Sequence, residues 1–102
     1  MSPIIIEKRE AIEALCRKHG VKALWVFGSA VRDDCHPASS DLDLLVEFLP
    51  RPRSGFDDAF FRLIDDLQRL TGRAVDLIEY GAIRNPFFRA SIDEEKVLLY
   101  AA

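Results

Sequence analysis

The chain has 102 residues, enough for one domain spanning 1–102 and too few for a catalytic domain plus a separate substrate-binding domain. Hydrophobic residues at 49% and charged residues at 30% exclude a disordered polar tract, a collagen-like repeat and a disulfide-dense scaffold. Fourteen Lys and Arg against 17 Asp and Glu leave a net charge of -3, so affinity built on neutralising nucleic-acid phosphates, and with it direct nucleic-acid binding, is not expected.

Ser2 and Pro3 predict a helix start, a capping hydroxyl followed by proline at the first helical position. Ile5, Ile12, Leu15 and Cys16 then recur near helical spacing until His19-Gly20 closes the helix. The apolar Ile4-Ile5-Ile6 runs straight into charged residues, too short for a signal peptide or a membrane span. A cytoplasmic protein with no membrane contact is expected, and two unpaired thiols, Cys16 and Cys35, suit a reducing compartment.

Val21 to Phe27 is short, apolar and β-rich and ends at Gly28-Ser29, a strand delivering its end to a tight turn. Residues 30–40 are polar and carry Pro37, which predicts a loop. A second strand is expected over Asp41 to Phe48. Pro50 and Pro52 exclude a continued central strand, so the segment from Leu49 to Gly55 reads as a surface linker or flap. Phe56, Phe60, Leu63, Leu67 and Leu70 form one stripe of a second amphipathic helix, with Gly72 placed for a left-handed cap. Ala74 to Ile78 is the third expected strand. Asn85-Pro86 opens a last helix with Phe87, Phe88 and Ile92 expected on its buried side, and Asp93 to Tyr100 ends the chain as helix or strand.

Chemistry concentrates on Gly28-Ser29, Asp41-Leu42-Asp43 and Asp76. Alternation along a strand puts Asp41 and Asp43 on one face and Leu42, Leu44 and Val46 on the other. Two carboxylates so close are costly unless a cation lies between them, and a divalent ion with oxygen ligands is the usual solution. Asp76, in an otherwise apolar strand, joins them if its strand lies alongside, completing a site for one or two Mg²⁺ ions. The Gly28-Ser29 turn supplies close backbone approach and hydrogen-bond donors for a phosphate. Metal-assisted in-line attack of a hydroxyl on an α-phosphorus follows, with Asp76 as second-metal ligand or base.

Phe27-Gly28-Ser29, Arg32 and Ser40-Asp41-Leu42-Asp43-Leu44-Leu45-Val46-Glu47-Phe48 resemble the minimal nucleotidyltransferases (MNT domains) of the polymerase-β-like superfamily. Arg73-Ala74-Val75-Asp76-Leu77-Ile78 is similar to the segment carrying that family's third acid, and Ile83 to Tyr100 to its C-terminal tail. The resemblance implies a small α/β nucleotidyltransferase fold, a mixed sheet of three or more strands flanked by helices. It implies a phosphate turn at Gly28 and Ser29, a phosphate-contacting arginine at Arg32, and metal-binding catalytic acids at Asp41, Asp43 and Asp76. It further implies an antitoxin that transfers AMP from ATP, with Mg²⁺, to a tyrosine of a HEPN-domain toxin. Asp33 stands where the family commonly has glycine and adds negative charge beside the expected triphosphate. On that residue rests the alternative of a non-catalytic antitoxin that neutralises its toxin by stoichiometric binding. A small-molecule acceptor is disfavoured by the short chain.

Other features have plainer readings. Cys35-His36 lacks the further ligands of a transition-metal site, and Arg51 and Arg53 read as a solvated basic loop. His19 is placed to meet helix C-terminal carbonyls. Trp25 and most of Phe56, Phe60 and Phe61 read as core, with one phenylalanine left for an interface.

Overall fold

The computed structural model describes residues 2–28, 31, 41–50 and 56–102, and the backbone alone of Phe56 and Asp57. The expected loop, apart from Val31, and the linker from Arg51 to Gly55 lie outside the described residues, as does the side chain of Phe56.

The first expected helix is two: α1 (Pro3–Glu7) and α2 (Arg9–Lys18), separated at Lys8 with φ -98° and ψ 12°. Three consecutive β-branched isoleucines make a poor helix continuation, which suits the break. Ser2 does not cap with its hydroxyl, as its position suggested. Its carbonyl accepts the Ile5 and Ile6 amides, while its Oγ is buried without a partner. Ile5, Ile12 and Cys16 nevertheless point inward as their spacing predicts. Burial pushes the Cys16 thiol up to about 12, so it is packing, not a nucleophile.

Strands β1 (Val21–Phe27), β2 (Leu42–Phe48), β3 (Val75–Glu79) and β4 (Val97–Ala101) form one sheet in the order β3-β2-β1-β4. β2 and β3 are parallel and are connected through α3 (Phe56–Thr71); β1 is antiparallel to both β2 and β4. This is the expected α/β fold with a mixed sheet, and its terminal segment resolves into a helix, α4 (Pro86–Glu95), followed by an edge strand.

The two faces of the sheet are unequal. Leu24, Val26, Leu42, Leu44, Val46 and Leu77 pack against Ile5, Ile12, Leu63 and Leu67 of α1 to α3 in the main core. A register shift between Val21 and Ala23 lets Val21 join that face as well. On the other face Phe27 and Leu45 meet Ile83 and Ile92, with Trp25, Ile78 and Tyr80 half-buried around them. α4 is the helix that covers this second cluster. Asn85 caps it as expected, its Oδ1 accepting the Phe87 and Phe88 amides. Phe87 and Phe88, however, are 83% and 42% exposed and lie outside the small cluster to which Ile83 and Ile92 belong. Trp25 is half-buried, and Phe61 of α3 is 66% exposed.

α3 ends on Gly72, whose φ of +69° is the left-handed cap its position predicts; its amide donates to Gln68. His19, whose position suits it to meet helix carbonyls, has its Nε2 2.7 Å from Asp66 Oδ2 and ties the end of α2 to α3. A carboxylate is a stronger partner for the ring than a carbonyl. Among the described residues no helix is long and apolar enough to cross a membrane.

The His19 hydrogen bond is the main cause holding the Asp66 carboxyl below its ordinary value of 3.8. A depressed carboxylate contributes stability above the unfolded pKa and loses it as pH falls through the folded one. Asp66→Asn is therefore expected to lower the melting temperature at pH 7, with the difference from wild type closing below about pH 4; melts across pH 3 to 7 test this.

Candidate active site

Antiparallel pairing places Phe27, the last residue of β1, opposite Asp43 near the start of β2. Parallel pairing then places Asp43 opposite Asp76 on β3. Side chains in register on neighbouring strands point the same way, so Asp43 and Asp76 share the α4 face. Ladder pairing reaches back to the entry of β2, where the Leu42 amide donates to the Ala74 carbonyl at 2.9 Å. Asp41 precedes the strand, which starts one residue later than expected, and is exposed, as is Asp76; Asp43 is half-buried.

Gly28 follows Phe27 directly, with φ +68°. A Cβ there would lie 2.5 Å from Asp43 Oδ2, so glycine is needed both for the left-handed backbone and for the space Asp43 fills. The Val31 amide closes the turn on the Gly28 carbonyl at 3.1 Å. Ser29 and Arg32 lie outside the described residues, as do Asp33, Asp34, Cys35 and His36.

Glu95, the last residue of α4, also reaches Gly28, which no sequence pattern signals. Its Oε1 accepts the Gly28 N–H at 2.5 Å. Burial chiefly, and then the charges of Asp76, Asp41 and Glu95, hold the Asp43 carboxyl above its usual range. No periodicity announces Glu95 among the charges of Asp93-Glu94-Glu95-Lys96; only the packing of α4 on the sheet brings it here.

An all-carboxylate donor set fits a hard divalent cation, and the charges raising Asp43 are what such an ion would relieve. Among the described residues no three carboxylate, histidine or cysteine side chains are already gathered as a coordination shell. A cavity of about 480 Å³ lined by Arg17, Lys18, His19 and Arg62 lies at the other end of the sheet, where the Leu49 amide meets the Gly20 carbonyl, and contains none of these acids.

Comparison with known proteins agrees with this fold. Residues 8–99 match the family described as nucleotidyltransferase domain. A protein of Methanocaldococcus jannaschii, provisionally named a protein adenylyltransferase, is 40% identical over 93 residues, covering 91% of this chain and 89% of its own. A solved structure described provisionally as a minimal nucleotidyltransferase superposes with a TM-score of 0.77 at 32% identity, covering 95% of both chains. The MNT antitoxin solved with a tri-AMPylated HEPN toxin of Shewanella oneidensis shares the fold, with a TM-score of 0.66 at 16% identity over 95% of this chain and 72% of that one. The chain belongs to the nucleotidyltransferase domain family. It is a nucleotidyltransferase by fold and by kinship with protein adenylyltransferases.

Two outcomes follow from the geometry. A carboxyl raised above its unfolded value stabilises the native state below that value and loses the contribution as pH rises through the folded one. Asp43→Asn should therefore melt a few degrees above wild type at pH 7 without divalent ions, and lose the advantage below about pH 4. Gly28→Ala should cost about 1–2 kcal/mol from the left-handed backbone alone. Displacing Asp43 adds to that cost, so urea titration of Gly28→Ala in an Asp43→Ala background should recover part of the loss.

Proposed function

We propose that the chain is an antitoxin that transfers AMP from ATP to a tyrosine hydroxyl of a HEPN-domain partner protein in the cytoplasm, with Mg²⁺ as cofactor. The observation that carries the reading is the register joining Gly28, Asp43 and Asp76: a glycine turn packed on one of two carboxylates that share a sheet face. The relatives support it from outside, since one is named for adenylyl transfer to proteins and a fold neighbour was solved with an AMPylated HEPN toxin.

In this reading Gly28 lets the backbone approach the triphosphate, Ser29 donates hydrogen bonds to it, and Arg32 offsets its charge. Asp41, Asp43 and Asp76 would hold one or two Mg²⁺ ions, whose charge would offset the triphosphate and make the acceptor hydroxyl more acidic. The tyrosine oxygen attacks the α-phosphorus, a new O–P bond forms, and the bond to the β-phosphate bridging oxygen breaks. Pyrophosphate leaves with that electron pair. The phenolic proton passes to Asp76, whose carboxylate is exposed on the reacting face.

Intact-mass spectrometry of the HEPN-type partner after incubation with this protein, ATP and Mg²⁺ tests the proposal. One or more AMP-sized gains are expected, absent with EDTA and with Asp41→Asn/Asp43→Asn. A stable complex without any mass gain would instead establish the stoichiometric binder that Asp33 favours.

A further inference from the structure

The C-terminal turn of α4 is fixed to the sheet by contacts that the reaction itself does not require. Ile92 is buried in the cluster beneath the helix, and the Lys96 amide donates to its carbonyl at 2.8 Å. The Lys96 ammonium is 2.6 Å from Asp93 Oδ1 and lies over the Tyr80 and Trp25 rings, 5.3 and 5.8 Å from their centroids. Tyr80 stacks at 5.3 Å on Trp25 of β1 and donates its hydroxyl to Asp93 at 2.7 Å. Arg89 lies 4.3 Å from the Tyr80 ring centroid. Cation–π contacts and charge-assisted hydrogen bonds of this kind together hold a short helix end in one place.

Glu95 projects from this clamped turn to the Gly28 N–H. A fourth carboxylate beside Asp41, Asp43 and Asp76 adds repulsion. What the carboxylate does gain is a charge-assisted bond to the amide of the one residue whose left-handed backbone and missing Cβ let Asp43 pack against the turn.

We propose that Glu95 is a positioning residue: by accepting the Gly28 N–H it locks the turn after β1, and with it Asp43, in the conformation that receives the nucleotide. The inference rests on the nucleotidyl-transfer reading of the site. It assigns to the C-terminal end of α4 a part in setting Gly28.

The test compares wild type, Glu95→Gln and Glu95→Ala in two measurements on the full chain. Hydrogen exchange of the Gly28 amide, followed by NMR without ligands, reads the contact itself. Calorimetric titration with Mg²⁺ and a non-hydrolysable ATP analogue reads its consequence. Glu95→Gln keeps an acceptor oxygen and is expected to retain Gly28 protection and to bind within about threefold of wild type. Glu95→Ala is expected to exchange at Gly28 at least about tenfold faster and to bind about tenfold more weakly, the usual size of effect for a residue that orients a metal or phosphate site. Amide exchange in β1 and β2 should be unchanged, which separates a loosened turn from a loosened fold.

Equal impairment of the two variants would overturn the proposal in favour of a purely electrostatic role. Tighter binding by Glu95→Ala would overturn it in favour of a carboxylate that occupies the phosphate's place. Failure of wild type to bind the analogue would overturn the nucleotide reading on its own, and the exchange measurement would still decide whether Glu95 holds the turn.

Discussion

The site depends on the absence of a single methyl group. Asp43 Oδ2 sits 2.5 Å from where a Cβ on residue 28 would be, and that approach is dictated by strand register: Phe27 faces Asp43 across the β1–β2 pair. Once Gly28 and Asp43 are in contact, the parallel β2–β3 pair brings Asp76 to the same face without any loop having to place it. Two acids and the turn are thus positioned by backbone hydrogen bonds, the least deformable interactions in a small domain. The electrostatic cost is concentrated on Asp43, which is the half-buried member; Asp41 and Asp76 stay exposed. Charges held together at a cost to stability are a common form of functional strain.

Division of labour between the two sheet faces makes that strain tolerable. The face beneath α1 to α3 holds most of the fully buried side chains, including Leu24, Leu44, Val46, Leu63 and Leu67. The other face has a small cluster under α4 and the acids at its edge. Apolar burial on the first face, at about 25 cal/mol per Å², fixes the strands whose register the site uses, and no acid at the site contributes to it. The thinner face carries the side chains that distinguish this surface: Glu95 toward the turn, the Lys96–Tyr80–Trp25 stack behind it, and the exposed Phe87 at the far end of the same helix.

Much of this was legible in sequence because it is periodic or local. Alternation in Leu42 to Val46 separates acids from core, Asn85-Pro86 marks a helix start, and Gly72 marks a helix end; each has the predicted geometry. What local pattern cannot carry is which partner a side chain finds across the fold. Ser2 has the residue type of a cap, but burial withdraws its hydroxyl and leaves the carbonyl to accept the helix amides. His19 finds Asp66 on another helix. Phe87 and Phe88 have core chemistry but lie outside the cluster to which Ile83 and Ile92 belong. Glu95 is one charge in a run of charges until α4 packs on the sheet. The mixed character of the sheet rested on resemblance and its strand order on the structure, since nothing in the spacing of β1, β2 and β3 distinguishes an antiparallel from a parallel neighbour.

The openness of the acid face bears on the kind of acceptor it suits. A small molecule has to be oriented by walls that the enzyme provides, and such pockets bury most of the ligand. Here Asp41 and Asp76 are exposed, and α4 on that face is committed to the cluster beneath it and to Gly28. A folded protein presenting a hydroxyl brings its own walls, and its docking surface can supply the orientation that the domain lacks. A protein acceptor, as proposed, therefore suits this face better than a small molecule does, because the walls that orient its hydroxyl would be its own.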